Sequence, residues 1–450
     1  MTTPPPPRPI DLHLAPRDVL GAWPASTPLA SFGPLDPHSR SPWSRWTILA
    51  QPDPARTIRL HANPPRADVH HALDFTARTP ATTPAPVSPD DRPPFVGGWF
   101  VLLNYALGRS FEPAAQGPRP PTDDRAWPAL LLLRCDRAWC YDHETSRWFA
   151  VGDTAGLPPA AHPAPDDRFT AQPARSPTGG ESYRRAVARV IEYIRAGDAY
   201  QVNLAHRFSA PYVGSPRALL RRVADATPAR HAAYLEDHHR GASRAVISAS
   251  PELFFTLDPK GRITTRPMKG TRPAHRAAEL LTSDKDRAEL AMIVDLMRND
   301  LGRVCRFGSV RVDQTRVIEP HGTVAQAVAT VSGVLRDGLG VADVLAAMFP
   351  GGSVTGAPKV RAMQIIDELE PADRGPYCGA LGFLSDDGHA ALNIAIRTFA
   401  LTADAPGRGT LDYWAGAGIV ADSDPNAEWR ETLDKAGPLR AITTLAEDLS

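Results

Sequence analysis

Proline is distributed so unevenly that it decides where long regular elements can form. Of the 47 prolines in this 450-residue chain, 32 fall in residues 1–177, leaving 15 for the remaining 273. Each proline removes a backbone donor from a helix or a strand ladder. Residues 1–177 are therefore predicted to be loop-rich with short edge strands, and 178–450 to carry the longer elements. Pro-rich stretches at 80–94, 113–128 and 158–177 read as connectors, though compositional drift in an Ala/Arg/Pro-rich chain would leave the same mark. No repeat of 20–50 residues is visible.

After 177 the periodicity becomes legible. Tyr183, Ala186, Val187, Val190, Ile191 and Ile194 recur at i, i+3, i+4 spacing, predicting an amphipathic helix over 182–198 closed by Gly197. Strands are predicted at 246–249, 253–257 and 262–265, then at 378–384, 391–401 and 411–420. A long helix is expected over 284–303, with Ser283 as N-cap and Asp286 three residues on in a capping-box pattern. Another should start at Pro358 after the loop PGGSVTGA, and a last one at Pro425 with Asp424 as cap.

Charge excludes several classes of partner. Fifty Lys+Arg balance fifty Asp+Glu, so no basic surplus exists to coat nucleic acid or an anionic membrane surface. The longest aliphatic run, ALLLL at 129–133, is far too short to span a bilayer, and MTTPPPPRPI has no apolar signal core. Cys135, Cys140, Cys305 and Cys378 are sparse, with neither disulfide-scaffold nor zinc spacing, and read as ordinary thiols. A cytoplasmic protein is expected, with neither nucleic acid nor membrane as partner.

Four local patterns could carry chemistry. Asp286 with Glu289, and Glu428 with Glu431, are i, i+3 carboxylate pairs, each sharing a helix face. Four carboxylates converging would need a cation between them, and an all-oxygen set favours Mg²⁺ over zinc. First-turn acids serve a helix dipole equally well. PGGSVTGAPK (350–359) is a Gly-rich loop before a helix, suited to an anion or simply to capping. Ala357-Pro358 stand where a nucleotide P-loop needs Lys-Ser/Thr, so an NTPase reading fails. AGAGIV (415–420) could admit a carboxylate to backbone amides, or mark a β-bulge. Lys269 follows a hairpin strand, a place where lysine is usually a solvated charge.

Taken together, SPELFF (250–255), RPMKGTRP (266–273), DRAELAMIVDLMRNDLGRV (286–304), FPGGSVTGAPKVRAMQIIDELEP (349–371), IAIRT (394–398) and AGAGIVADSDPNAEWRETLDK (415–435) resemble the chorismate-utilising enzymes, in the same order. The likeness is strong over about 180–445 and continues through PFVGGWFVLLNYALGRSFE (94–112). It implies an α+β fold, two packed β-rich subdomains forming a sandwich with flanking helices and chorismate between them. Residues 1–177 would contribute to the sandwich and 178–450 would form the chorismate-binding catalytic region.

Two positions choose among the branches that the resemblance offers. Isochorismate and salicylate synthases carry a water-activating lysine where YQVNLAHRF (200–208) has Gln201, an amide that cannot take a proton. Anthranilate synthases share this glutamine but have alanine where Lys269 stands. Lysine there marks the branch that aminates chorismate at C4, giving 4-amino-4-deoxychorismate, the precursor of 4-aminobenzoate.

The resemblance implies that Lys269 attacks C2 with Glu252 as general acid, and that ammonia then enters C4. Only about 0.04% of an unperturbed lysine is neutral at pH 7, so its pKa must be lowered. Mg²⁺ would be held by Glu289 and Glu431, with Asp286 and Glu428 behind or through water. Gln201, Thr271, Ser353, Tyr377, Arg397, Gly416, Gly418 and Lys435 match substrate-contacting or site-ordering positions, with packing and capping as the plainer roles for Tyr377 and Ser353. Gln326 in AQAVAT (325–330) replaces a histidine of many relatives. A chorismate-binding subunit without turnover, and a C2-aminating enzyme, are the rival readings. LASF (29–32) keeps little of the family's tryptophan-site element, so no tryptophan feedback is expected. No cysteine lies in a G-x-C-x-G nucleophile setting, so ammonia must come from solution or a separate glutamine amidotransferase subunit.

Overall fold

Strands that alternate or fully bury their apolar residues supply most of the regular structure, and they collect into two antiparallel sheets. The computed structural model describes residues 6–36, 39, 41–61, 63–76, 92–117, 125, 127–154, 168–239, 241–321 and 324–446. Among these the larger sheet has 12 strands and the smaller 10. The larger runs in the order Arg8–Ile10, Arg147–Val151, Arg137–Asp142, Trp46–Gln51, Ala30–Phe32, Ala233–His239, Ala242–Ser248, Thr398–Ala405, Arg408–Ile419, Gln201–Gly214 and Gly356–Ala357. Phe169–Ala171 pairs with the far end of Gln201–Gly214. The smaller runs Met268–Pro273, Val324–Val334, Arg262–Arg266, Leu253–Leu257, Ala390–Ile394, Ala380–Ser385, Gly98–Leu103, Leu130–Cys135 and Thr57–Leu60. Arg311–His321 lies along Val324–Val334.

The inner faces share one apolar core, and Phe32 of the larger sheet meets Phe383 of the smaller edge-on at 5.6 Å. Helices flank this sandwich. Gly179–Arg195 and Pro425–Lys435 pack together against the larger sheet, and Asp284–Gly302 lies on Val324–Val334. The architecture is the α+β sandwich that the sequence predicts.

The proline argument needs one correction. The strands before 177 are short, but several are not edges: Trp46–Gln51 and Gly98–Leu103, six residues each and free of proline, are interior to their sheets. Among the described residues before 177, proline falls in connections, at the helix starts Pro16 and Pro113, and at Pro9 on the edge strand Arg8–Ile10. Of the connectors expected at 80–94, 113–128 and 158–177, residues 80–91, 118–124, 126 and 158–167 lie outside the described residues, and the rest includes the helical turn Pro113–Ala115 and the strand Phe169–Ala171.

Other elements shift by small amounts. The first long helix starts at Gly179 and ends at Arg195, burying Tyr183, Val187, Val190 and Ile191. Ser283 caps its helix by accepting from the Asp286 N–H, yet the reciprocal half of the box is missing because the Asp286 carboxylate turns to Arg272, 2.9 Å away. Pro358 is itself the N-cap of Lys359–Leu369. Asp424 caps Pro425–Lys435 as expected. The strand predicted at 391–401 is two strands. Ala390–Ile394 belongs to the smaller sheet and Thr398–Ala405 to the larger, and the chain crosses between them at Arg397, whose φ is 51°. Among the described residues no helix is long and apolar enough to cross a membrane.

One buried ion pair ties the start of the chain to this frame. Arg217 donates to both carboxylate oxygens of Glu236 at 2.6 and 2.8 Å, and to the carbonyls of Pro24 and Thr27. Burial pushes the Glu236 carboxyl up, but the bonds and charge of Arg217, with the bonds from His238 and Tyr234, together outweigh it and hold the group at about 2. Its stabilising contribution is thus complete above the ordinary carboxylate range and lost only as pH falls toward about 2. Arg217→Met takes the arginine from a buried carboxylate, and is expected to cost about 3–5 kcal/mol in urea unfolding at pH 7. A loss under about 1 kcal/mol would contradict this account.

Candidate active site

Lys269 sits on Met268–Pro273, whose pairing with Val324–Val334 slips at Gly270: Lys269 faces Ala327, and Thr271 faces Gln326. Gly270, at φ 74°, takes the left-handed conformation that the bulge requires. A Cβ there would also lie 2.9 Å from the Asp286 carboxylate, so the missing side chain lets helix Asp284–Gly302 approach this strand. The bulge aims the half-buried Lys269 toward the ends of Gln201–Gly214 and Arg408–Ile419. An added Cβ at Gly418 would stand 3.1 Å from Gln201 Nε2 and 3.7 Å from Lys269 Nζ, which places amide and amine beside the same gap.

Burial lowers the Lys269 ammonium from its ordinary value, and the positive charge of Lys435 adds to that, while Glu289, Glu252 and Glu431 oppose it. Glu252 is 4% exposed, and its Oε1 accepts from Ser353 Oγ at 2.8 Å. Burial pushes Glu252 up to about 7, against the Ser353 bond, the Lys269 charge and the Met268 backbone N–H. An amine biased toward neutrality thus faces a carboxyl biased toward keeping its proton. Such opposed perturbations are what acid–base chemistry near pH 7 requires.

The carboxylates expected at a metal are only partly gathered. Glu289 and Glu431 both act on Lys269. Burial raises Glu428, and the charge of Glu431, three residues on along the same helix, adds to it. Each acid also has a local partner: Glu431 pairs with Lys435 at 2.7 Å, Glu289 with Lys285 at 3.8 Å, Asp286 with Arg272 at 2.9 Å, and Glu428 accepts from Ser423 Oγ at 2.6 Å. Among the described residues no three His, Cys, Asp or Glu side chains stand close enough to hold a metal as they are. The donors expected there are all carboxylate oxygens, the chemistry that a hard cation such as Mg²⁺ requires.

The Gly-rich loop is a packed element. A Cβ at Gly352 would lie 2.2 Å from Leu296, and one at Gly351 would lie 2.6 Å from Ile394. These glycines let the loop settle against a helix and a strand, and it presents Ser353 to Glu252. The second cluster is no bulge either. Gly418 and Gly416 pair in regular register with Asn203 and Ala205; the missing side chain of Gly418 keeps space beside Gln201 and Lys269, and that of Gly416 lets the strand lie against Leu204, Ala205 and Asn203.

The remaining expected residues divide. Both amide atoms of Gln201 are buried without a partner, available to a ligand. Gln326 donates to Thr271 Oγ1 at 3.2 Å and keeps a buried, unpaired Oε1. Lys435 donates to the Gly416 carbonyl at 2.8 Å. Arg397, half-buried at the crossing, has no acidic partner among the described residues, and burial lowers it. Tyr377 is buried and stacks on Trp414 with ring centres 6.2 Å apart. No hydrogen bond or ion pair among the described residues links Tyr377 or Arg397 to Lys269 or Glu252. Asn203, Arg374 and Glu370 were not legible as site residues. The only hint was the i, i+4 spacing of Glu370 and Arg374.

Comparison with known proteins settles the family. The sequence matches the profile of chorismate binding enzymes over residues 39–441. The chain belongs to that family. It is 38% identical over 424 residues to aminodeoxychorismate synthase component 1 of Salmonella typhimurium, covering 88% of each chain. It is 37% identical over 385 residues to anthranilate synthase component 1 of Thermus thermophilus, covering 79% of each. The crystal structure of anthranilate synthase component I from Streptococcus pneumoniae superposes with a TM-score of 0.73 at 28% identity, over 88% of this chain and 92% of that one. Identities this close do not separate the two named activities within the chorismate-binding family. The side chains of the site must do so.

Gly418→Ala tests the gap between Gln201 and Lys269. Its methyl group intrudes beside both, so kcat/KM for chorismate is expected to fall by about 10-fold or more, while the melting temperature stays within about 3 °C. Unchanged kinetics would mean that no ligand passes Gly418.

Proposed function

We propose that the chain aminates chorismate at C4 with ammonia, giving 4-amino-4-deoxychorismate, the precursor of 4-aminobenzoate. The observation that carries the reading is Lys269, an amine lowered by burial and set near Glu252, which keeps its proton to about pH 7. Neutral Lys269 Nζ bonds to C2 of the ring, both ring double bonds shift round the ring toward C4, and the C4 hydroxyl leaves as water with the proton of Glu252. Ammonia then bonds to C4, both double bonds shift back, the lysine nitrogen leaves C2 as the neutral amine, and a proton lost by the entering ammonia returns to Glu252, which restores the enzyme. The amide of Gln201 has no proton-accepting power toward water, which favours ammonia over hydration.

Glu289 and Glu431 would hold Mg²⁺, with Asp286 and Glu428 behind or through water; the ion would supply positive charge for a substrate carboxylate and relieve the repulsion between the acids. Lys435 and Arg397 would bind and orient the substrate's anionic groups. The relatives' designation as component 1 supports a separate partner, which we take to be a glutamine amidotransferase delivering ammonia.

Replacing Lys269 tests this directly. Lys269→Ala is expected to lower 4-amino-4-deoxychorismate formation by about 100-fold or more, and to release a little C2-aminated product, since ammonia can then attack C2 itself. In the unaltered chain, chorismate without ammonia should add substrate mass to the peptide containing Lys269. An unchanged rate and product in the alanine variant would overturn the proposal. Chelation by excess EDTA should abolish turnover and readdition of Mg²⁺ restore it; full activity in EDTA would remove the metal from the account.

A further inference from the structure

Arg374 is 1% exposed and has no part in the chemistry proposed above. Its Nε and Nη2 donate to the two oxygens of Glu370 at 2.9 and 2.6 Å. Nη1 donates to the Val354 carbonyl at 3.0 Å, and Nη2 also donates to the Asn203 carbonyl at 2.6 Å. The guanidinium lies over the ring of Tyr105 at 4.5 Å and that of Tyr377 at 5.9 Å. Glu370 alone would neutralise the charge. The two carbonyl bonds do something else: they join the end of the Ser353 turn to the strand that carries Gln201.

That junction is made more than once. Asn203 Nδ2 donates to the same Val354 carbonyl at 2.9 Å, the Asn203 N–H donates to the Thr355 carbonyl at 2.8 Å, and Glu370 Oε1 accepts from the Ala205 N–H at 2.8 Å. Ser353 immediately precedes the doubly held Val354, in the tight turn Gly352–Val354. Planar donors in a fixed fork hold two carbonyls at a set angle, which a lysine in the same place cannot do. We propose that Arg374 is a positioning residue, which fixes the 352–354 turn through the carbonyls of Val354 and Asn203 so that the Ser353 hydroxyl stays aimed at Glu252. This rests on the reading of Glu252 as the group that delivers the proton.

A hydroxyl that donates to a carboxylate favours its charged form. When the turn is released, that bond lengthens and Glu252 holds its proton to higher pH. The other titratable groups acting with Glu252 are Lys269 across the site and the Cys378 thiol on the segment after Arg374. Ser353 and Asn203 do not act on either, and Arg374, whose positive charge acts on the Cys378 thiol, keeps that charge in Arg374→Lys.

The test is the pH dependence of kcat/KM for chorismate in the full chain, with Mg²⁺ present and free ammonia held constant. Ser353→Ala should move the break near pH 7 upward. Arg374→Lys and Asn203→Ala should move it the same way, with kcat falling on the order of 10- to 100-fold and KM hardly changed. The double variant Asn203→Ala/Ser353→Ala should move the break no further than Ser353→Ala does, because both act on one bond. If Ser353→Ala moves the break and the Asn203 and Arg374 variants leave it in place, Arg374 is merely structural and the inference is overturned. If Ser353→Ala leaves the break in place, the reading of Glu252 fails and the inference falls with it. Should Arg374→Lys not fold, Asn203→Ala alone decides.

Discussion

An amine attacks carbon only when it carries no proton, and at Lys269 burial is what loosens that proton. Each pKa unit of lowering corresponds to about 1.4 kcal/mol against the charged form. The opposition is local: Glu289, Glu252 and Glu431 all stabilise the ammonium. The site is therefore a balance between desolvation and three carboxylates, and the positive charge of Lys435 falls on the side of desolvation. The same burial acts on Glu252 in the opposite chemical sense, retaining a proton that water would remove. One environment thus prepares both a base and an acid, because it disfavours charge of either sign.

The fold supplies this environment by bringing two sheets' strand ends together. Lys269 comes from the smaller sheet, displaced by the Gly270 bulge, and Gln201 and Gly418 come from the larger one. The acids come from the two helices that flank the sheets, Asp284–Gly302 and Pro425–Lys435. The chain passes between sheets at Arg397, whose left-handed backbone makes the sharp crossing. Packing sets the position of each part, and glycines at 270, 352 and 418 mark where a side chain would collide with a neighbour.

Much of this was legible in the sequence, for identifiable reasons. The cap residues Ser283 and Asp424 and the 3.6-residue period from Tyr183 are local signals, and they fixed three helices to within a few residues. The break at 395–397 was not legible, because both flanking strands are apolar and nothing in IAIRT announces a change of sheet. Interior strands before 177 were hidden by the prolines that flank them. Site residues carried by sequence likeness, Lys269, Glu252 and Gln201, came together. Arg374 did not show itself, since its partners Val354 and Asn203 are contacted through carbonyls, which no side-chain pattern records. The acids were legible as pairs, but their engagement with Arg272, Lys285 and Lys435 was not, because it depends on which chains the fold sets opposite them.

The central claim is that Lys269 directs amination to C4, and the product's structure tests it most directly. The purified chain should be incubated with chorismate, Mg²⁺ and ¹⁵N-labelled ammonium, and the product examined by NMR and mass spectrometry. The account predicts a single aminated product with ¹⁵N bonded to C4 and the enolpyruvyl side chain retained. Label at C2, or anthranilate as the main product, would contradict it.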